Sequence, residues 1–302
     1  MITAFRLSDA LRCVLVNAPG MENLAAPTES VVRCRPLRNS TFWRQSLMHK
    51  SERVTVGDWN GIDLSSLASA RVRNGVRAWE VDRLHVKDPG EILDLLDQIV
   101  RSAGAKGAEK IFLRLESSGE TVDLARRAGF YPYYEEVHLT GKGTATQGIP
   151  GENGNRYTVD RRTPSDTHGL FQLYCAATPP KVRDGIGVTF DQWWSAQEQP
   201  QAKRDEAVIS RDGKIVGWNM REPFGPVAAG QVLTHPDFPE VMLRLMEMPQ
   251  TTQASEWLVP SYQENAVESL VRQGLKEAGR YTMLIKTVTV PVVNRELSYV
   301  EA

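Results

Sequence analysis

A chain of 302 residues with 36 basic and 37 acidic side chains has a formal net charge of -1, so no overall field draws it to nucleic acid or to a lipid surface. Its 41% apolar and 24% charged residues describe an ordinary folded globule, and the length suits two cores of about 150 residues better than one. No apolar run approaches the ~18 residues of a membrane span, and the opening MITAFRLSDALRC lacks a basic start followed by an apolar signal core, so the expected compartment is the cytoplasm, with no membrane partner. Cys13, Cys34 and Cys175 are odd in number and lack C-x-x-C spacing; they read as small buried hydrophobes rather than a disulfide framework or a zinc site.

In chain order, residues 31–37 alternate as a strand, 53–56 begin a second, and 66–73 lead through Asn74-Gly75 into a hairpin partner. Across residues 78–86, Trp79 and Val81 share one face while Leu84 and Val86 have the opposite parity. A one-residue bulge near Asp82-Arg83 reconciles them. After Asp88-Pro89-Gly90, apolar residues at Ile92, Leu95, Leu96, Ile99 and Val100 follow the stripe of an amphipathic helix that ends at Gly104 or Gly107.

Residues 140–156, TGKGTATQGIPGENGNR, hold five glycines and no apolar period, which marks a linker. The expected domains are therefore 1–139 and 157–302. The second half opens with a strand at 157–160 and a helix start at Thr163-Pro164-Ser165-Asp166, before Leu170, Leu173, Tyr174 and Ala177. Pro179-Pro180 is expected to stop that helix, with a loop to Gly187 and a helix from Asp191 through Trp193-Trp194. A hairpin turns at Asp212-Gly213, a strand covers 227–233, and a helix follows from Glu240 to Met248. With Phe190, the two tryptophans form an apolar plug that either roofs a pocket or packs the halves together.

The two halves repeat. Residues 110–139 realign without a gap on 255–284, matching Leu113 with Leu258, Val122 with Val267, Arg127 with Arg272, Gly129 with Gly274 and Leu139 with Leu284. Each copy reads as an apolar strand, a short helix ending in Arg-x-Gly-apolar, and another strand. At a slightly different offset, Leu84, Asp88, Glu91 and Leu96 match Leu233, Asp237, Glu240 and Leu245.

This order, with Ala125-Arg126-Arg127-Ala128-Gly129-Phe130 and its weaker copy Leu270-Val271-Arg272-Gln273-Gly274-Leu275, resembles the GNAT-type N-acyltransferases. The resemblance covers residues 29–139 and 157–293 and implies an α/β fold of two tandem GNAT-like domains, each a mixed, mostly antiparallel twisted sheet flanked by helices. It also implies acetyl-CoA or another acyl-CoA as co-substrate, a small-molecule or peptide amine as acceptor, and no metal. Such proteins splay their fourth and fifth strands around the acyl-CoA and lay its pyrophosphate on the next helix N-terminus.

The family's phosphate loop is replaced by Val86-Lys87-Asp88-Pro89-Gly90-Glu91 in the first half and by Thr234-His235-Pro236-Asp237-Phe238-Pro239-Glu240 in the second. Carboxylates stand where a phosphate would sit, and they also serve as ordinary first-turn caps. The family's usual tyrosine falls at Ala125 and Leu270, and its asparagine at Ser118 and Gln263. Glu80 lies where relatives place a general base, but its alternation with Trp79 and Val81 turns it toward solvent.

Since the second half carries the fuller helix-loop-helix, from 164 to 197, it is expected to hold the site. The resemblance places His235 and Tyr262 in catalysis and Val232, Leu233, Thr234 and Gln263 at the cofactor. One alternative is an inactive binding or regulatory protein. Another is recognition of RNA or aminoacyl-tRNA through the basic segment 31–77, where Arg33/Arg35 and Arg71/Arg73 have one-face strand spacing near Phe42, Trp43 and Trp59. No HExxH, GxSxG, P-loop or GxGxxG occurs.

Overall fold

A computed structural model describes residues 2–4, 22–33, 52–60, 63–141, 157–247 and 255–288. The first half supplies β1 (Thr3–Ala4), α1 (Thr28–Arg33), β2 (Arg53–Asn60), β3 (Asp63–Val72), β4 (Ala78–Val86), α2 (Ile92–Gly104), β5 (Lys110–Glu116), α3 (Glu120–Arg127) and β6 (Tyr131–Thr140). The second supplies β7 (Tyr157–Arg161), α4 (Thr167–Ala177), α5 (Pro180–Ile186), α6 (Phe190–Ser195), β8 (Asp205–Arg211), β9 (Lys214–Phe224), β10 (Val227–Thr234), α7 (Val241–Glu247), β11 (Glu256–Pro260), α8 (Glu264–Arg272) and β12 (Lys276–Thr287).

The expected α/β architecture is present, but the two sheets are fused into one of twelve strands, ordered β1-β2-β3-β4-β5-β12-β6-β11-β10-β9-β8-β7. The closing strands have changed places: β12 pairs with β5 of the first half, and β6 pairs with β11 of the second. β6 and β12 pair with each other antiparallel, and both open at positions that the gapless repeat alignment equates. Glu136 and Tyr281, equated by the same alignment, face one another in register, so a local twofold passes between them. Two register shifts leave Tyr133 and Ala278 bulged, and these are equivalents as well.

The exchange reaches the cores. Leu284 of β12 is buried with Trp79, Ile111 and Leu113 beneath α2 and α3, while Val137 and Leu139 of β6 are buried with Trp257, Val259 and Leu270 in the second half. Each half thus closes its core with the other's last strand. Gly129 and Gly274, at φ 84° and 94°, stop α3 and α8 in the left-handed conformation that glycine adopts without strain.

The β4 bulge forms as expected: Ser69 pairs with Arg83 and Ala70 with Val81, leaving Asp82 unopposed. The α2 stripe is buried as its period requires, and Asp212-Gly213, both at positive φ, makes the two-residue turn between Arg211 and Lys214. Two expectations fail. Residues 28–33 form α1 rather than the start of a strand, because Val31 and Val32, adjacent in sequence, are both buried against the sheet, which strand alternation does not permit; residues 34–37 lie outside the described residues. Pro180 starts α5 instead of preceding a loop, since a proline at a first helical position loses no hydrogen bond. Residues 142–156, most of the linker, Cys13 and Cys34 also lie outside the described residues.

Candidate functional site

Among the described residues each half has one parallel strand pair, and each pair separates. β4 and β5 are paired only from Ala78/Lys110 to Glu80/Phe112, and β10 and β11 only at Ala229/Glu256 and Gly230/Trp257. The two clefts that open beyond these points differ in content.

The first-half cleft is filled by the chain itself. Leu24 N–H donates to Leu84 C=O at 2.8 Å, and Ala26 N–H to Arg114 C=O at 2.9 Å. The Asn23 side chain accepts from Leu84 N–H at 2.8 Å and donates to the carbonyl of the bulged Asp82 at 3.0 Å. Residues 23–26 therefore take the backbone groups of β4 and β5 that a ligand in the cleft would need. A space of about 10 Å³ remains beside Glu80 and Arg114, room for about one water.

Glu80 does not face solvent. It is 5% exposed and pairs with Arg71 at 2.5 Å and Arg73 at 3.2 Å, because α1, residues 25–28 and the loop after α6 cover the face opposite Trp79. Arg71 and Arg73 do share a face, but it is a buried one, matched by Glu29, Glu80 and Glu198, and so they form no exposed basic stripe. Arg33 lies on α1, and Arg35, Arg38, Arg44 and Lys50 lie outside the described residues.

The second-half cleft is open. Gly230 permits the last close contact of β10 with β11, since a Cβ there would stand 2.6 Å from the Trp257 ring. Past it lies a cavity of about 270 Å³, lined by Gln231, Val232 and Leu233 of β10, Leu258 and Pro260 of β11, and Tyr262. Trp193 and Trp194 of α6 also line the cavity, and Trp193 packs with Phe171, Tyr174 and Phe190. The end of α6 joins the halves as well: Ser195, Ala196 and Gln197 carbonyls accept from Gly75 N–H, the Arg73 guanidinium and Asn74 N–H. The two tryptophan rings thus line the cavity, while the halves are joined by the backbone that follows them.

The remaining wall comes from the exchanged strand. Tyr133, Tyr134 and Glu136 of β6 line the cavity although they precede the linker. The Tyr134 hydroxyl donates to Glu136 Oε1 at 2.9 Å, and Arg114 pairs with Glu136 at 2.9 Å and with Glu198 at 3.1 Å. Burial pulls the Arg114 guanidinium down, but the two facing carboxylates outweigh it and hold its pKa well above the ordinary value. Burial likewise pushes Glu198 up, yet Arg114 and Arg73 bring it down to about 2. Burial raises the phenols of Tyr133, Tyr134 and Tyr174, which stay neutral.

The six residues singled out from the sequence separate into three groups. Val232, Leu233 and Tyr262 line the cavity. Tyr262, whose ring lies 5.7 Å from that of Tyr134, has its pKa pushed up to about 12 by burial, with a smaller opposing effect of the Thr178 hydroxyl. Thr234 and Gln263 are buried beside the cavity and bonded to each other: Gln263 Oε1 accepts from Thr234 N–H at 3.1 Å and from its hydroxyl at 3.0 Å, and Gln263 Nε2 donates to Ala177 C=O at 3.2 Å. His235 is not brought to the cavity. Its Nδ1 accepts from Asp237 N–H at 3.2 Å and its ring packs on Phe238, because β10 ends at Thr234 and the chain turns outward through Pro236. Asp237 and Glu240 precede α7, and Glu240 accepts from the Tyr157 hydroxyl.

Reading the sequence missed Tyr133, Tyr134 and Glu136. The dense run Tyr131-Pro132-Tyr133-Tyr134-Glu135-Glu136 was the available signal, but only the strand exchange shows which half it serves.

No protein-family model and no curated protein matches the chain. Solved structures do resemble it. A GCN5-related N-acetyltransferase from Sphaerobacter thermophilus superposes with TM-score 0.52 at 15% identity, covering 95% of this chain and 95% of that one. A tandem GNAT protein from the clavulanic acid biosynthesis pathway gives 0.51 at 12%, covering 95% and 98%. A GCN5-related N-acetyltransferase from Anabaena variabilis gives 0.50 at 9%, covering 96% and 73%. The chain therefore has the tandem GNAT fold. Among the described residues there is no group of three or more His, Cys, Asp or Glu placed to hold a metal, and no helix long and apolar enough to cross a membrane.

Proposed function

We propose that the protein is an acyl-CoA-dependent N-acyltransferase with a single site, the cleft between β10 and β11, and with a first half that serves as a structural partner. The observation that carries this reading is the contrast between the clefts: one is occupied by residues 23–26, the other opens on a cavity of about 270 Å³. Val232 and Leu233 would flank the acyl thioester. The Tyr262 phenol, protonated at neutral pH, would supply a proton to the departing sulfur. An amine acceptor would enter beneath Trp193 and Trp194. Release of free thiol from acetyl-CoA in the presence of acceptor amines tests the reading: Tyr262→Phe and Thr234→Val should lower turnover more than Glu80→Gln. Equal losses in all three would remove the site from β10 and β11.

A second reading, ligand binding without transfer, draws support from the Thr234–Gln263 bridge, which engages both side chains with each other. Binding of acyl-CoA with no thiol release under any acceptor would favour it.

A further inference from the structure

The lining of the cavity restricts what can serve as acceptor. Among the described residues, each carboxylate that lines it is already matched: Glu206 by Arg162 at 3.3 Å and the Trp218 Nε1–H at 3.0 Å, Glu198 by Arg114 and Arg73, and Glu136 by Arg114 and the Tyr134 hydroxyl. The histidines that stand two residues from a lining position are engaged elsewhere: His235 with Asp237 and Phe238, His138 with Glu256 at 2.8 Å, and His168 against Phe171 and Phe190. An alkylamine, with a pKa near ~10.4 for a lysine-type nitrogen, arrives as a cation and needs both a counter-charge and a base to free its lone pair. Among the described residues that line the cavity, neither is available without breaking an ion pair, and stripping one partner from such a pair is costly. Aromatic walls do attract cations, but the three lining guanidiniums, of Arg73, Arg162 and Arg204, balance the three lining carboxylates, so no net negative charge adds to that attraction.

The walls favour a flat, uncharged body. Trp193, Trp194, Trp218, Tyr174 and Tyr262 line it together with Leu233. We infer that the acceptor is an aromatic amine, whose nitrogen lone pair is delocalised into its ring and which is therefore uncharged at neutral pH. This rests on the acyltransferase reading for its chemical step. The amine nitrogen forms a bond to the thioester carbonyl carbon, the C–S bond breaks, and the departing sulfur takes a proton from the Tyr262 phenol. The nitrogen's surplus proton then returns to Tyr262 through solvent, leaving an amide and the free thiol of CoA.

Two isomeric probes separate the charge of the amine from its size: 4-methylaniline is neutral at pH 7.5 and benzylamine is a cation. Calorimetric titration of the full chain with each should show 4-methylaniline binding at least tenfold more tightly, with the heat reduced at least fivefold by Trp194→Ala at the exposed edge of the cavity. Benzylamine binding equally or better, or heat from neither amine at millimolar concentration, would overturn the inference. Acetyl-CoA titrated separately keeps the two readings apart. Acetyl-CoA binding without an arylamine preference defeats the acceptor class alone, whereas arylamine binding without acetyl-CoA binding upholds the ligand class and defeats the transferase reading.

Discussion

The side-chain oxygen of Gln263 accepts both hydrogen-bond donors of Thr234, its backbone N–H and its hydroxyl, and so ties the end of β10 to the start of α8 across the line where β10 and β11 part. Gln263→Ala would leave those two donors and the Ala177 carbonyl without their partners, a loss of ~2–3 kcal/mol. Thr234→Val removes one hydroxyl and should cost ~1 kcal/mol. Urea midpoints at constant slope measure both, and equal costs would show that the bridge does not hold the cleft.

Asn23 anchors the segment that fills the first-half cleft, through the carbonyl of Asp82 and the N–H of Leu84. Asn23→Ala is expected to destabilise the protein by ~1–2 kcal/mol and to speed hydrogen exchange at the Leu84 amide, while acyl-CoA affinity stays unchanged. A change in that affinity would mean that the first cleft takes part in binding.

Glu198 gives a pH test. Its folded pKa of about 2 lies below the ordinary 4.5, so the stabilisation it provides is fully present above pH 4.5 and is lost as pH falls toward 2. The largest effect is ~3 kcal/mol at ~1.4 kcal/mol per unit. Glu198→Gln should lower stability at pH 7 and flatten the acid limb between pH 4.5 and 2; an unchanged limb would place the acid sensitivity elsewhere.

The exchange of β6 and β12 makes the halves interdependent. Leu284→Ala, in a strand that follows the linker, removes a buried side chain from the first-half core and should cost ~2–5 kcal/mol. Unfolding followed by fluorescence and by far-UV circular dichroism should remain one coincident transition. Fragments 1–141 and 157–302 should each be poorly folded alone and recover structure when mixed; two independently stable halves would contradict the exchange.

Local signals in the sequence carried most of the elements. The α2 stripe, the β4 parity break and Asp212-Gly213 each depend on neighbouring residues, and each forms as the local pattern requires. The repeat alignment found the equivalence of β6 and β12, but alternation is blind to which partner a strand chooses, and so one fused sheet was read as two. The same blindness hid Tyr134 and Glu136, which face a cavity roofed by helices beyond the linker. Glu80 and Arg71 were misplaced because polar alternation looks the same whether a charge meets water or an opposite charge. Val232, Leu233 and Tyr262, named through the resemblance, do line the cavity, whereas the turn at Pro236 carries the His235 ring away from it.

Calorimetric titration of the full chain with acetyl-CoA and longer acyl-CoAs tests most directly whether the β10–β11 cleft is an acyl-CoA site. One ligand per chain, a rise in melting temperature, and at least tenfold weaker binding in Leu233→Trp is the predicted result. No heat and no thermal shift at millimolar ligand would contradict it.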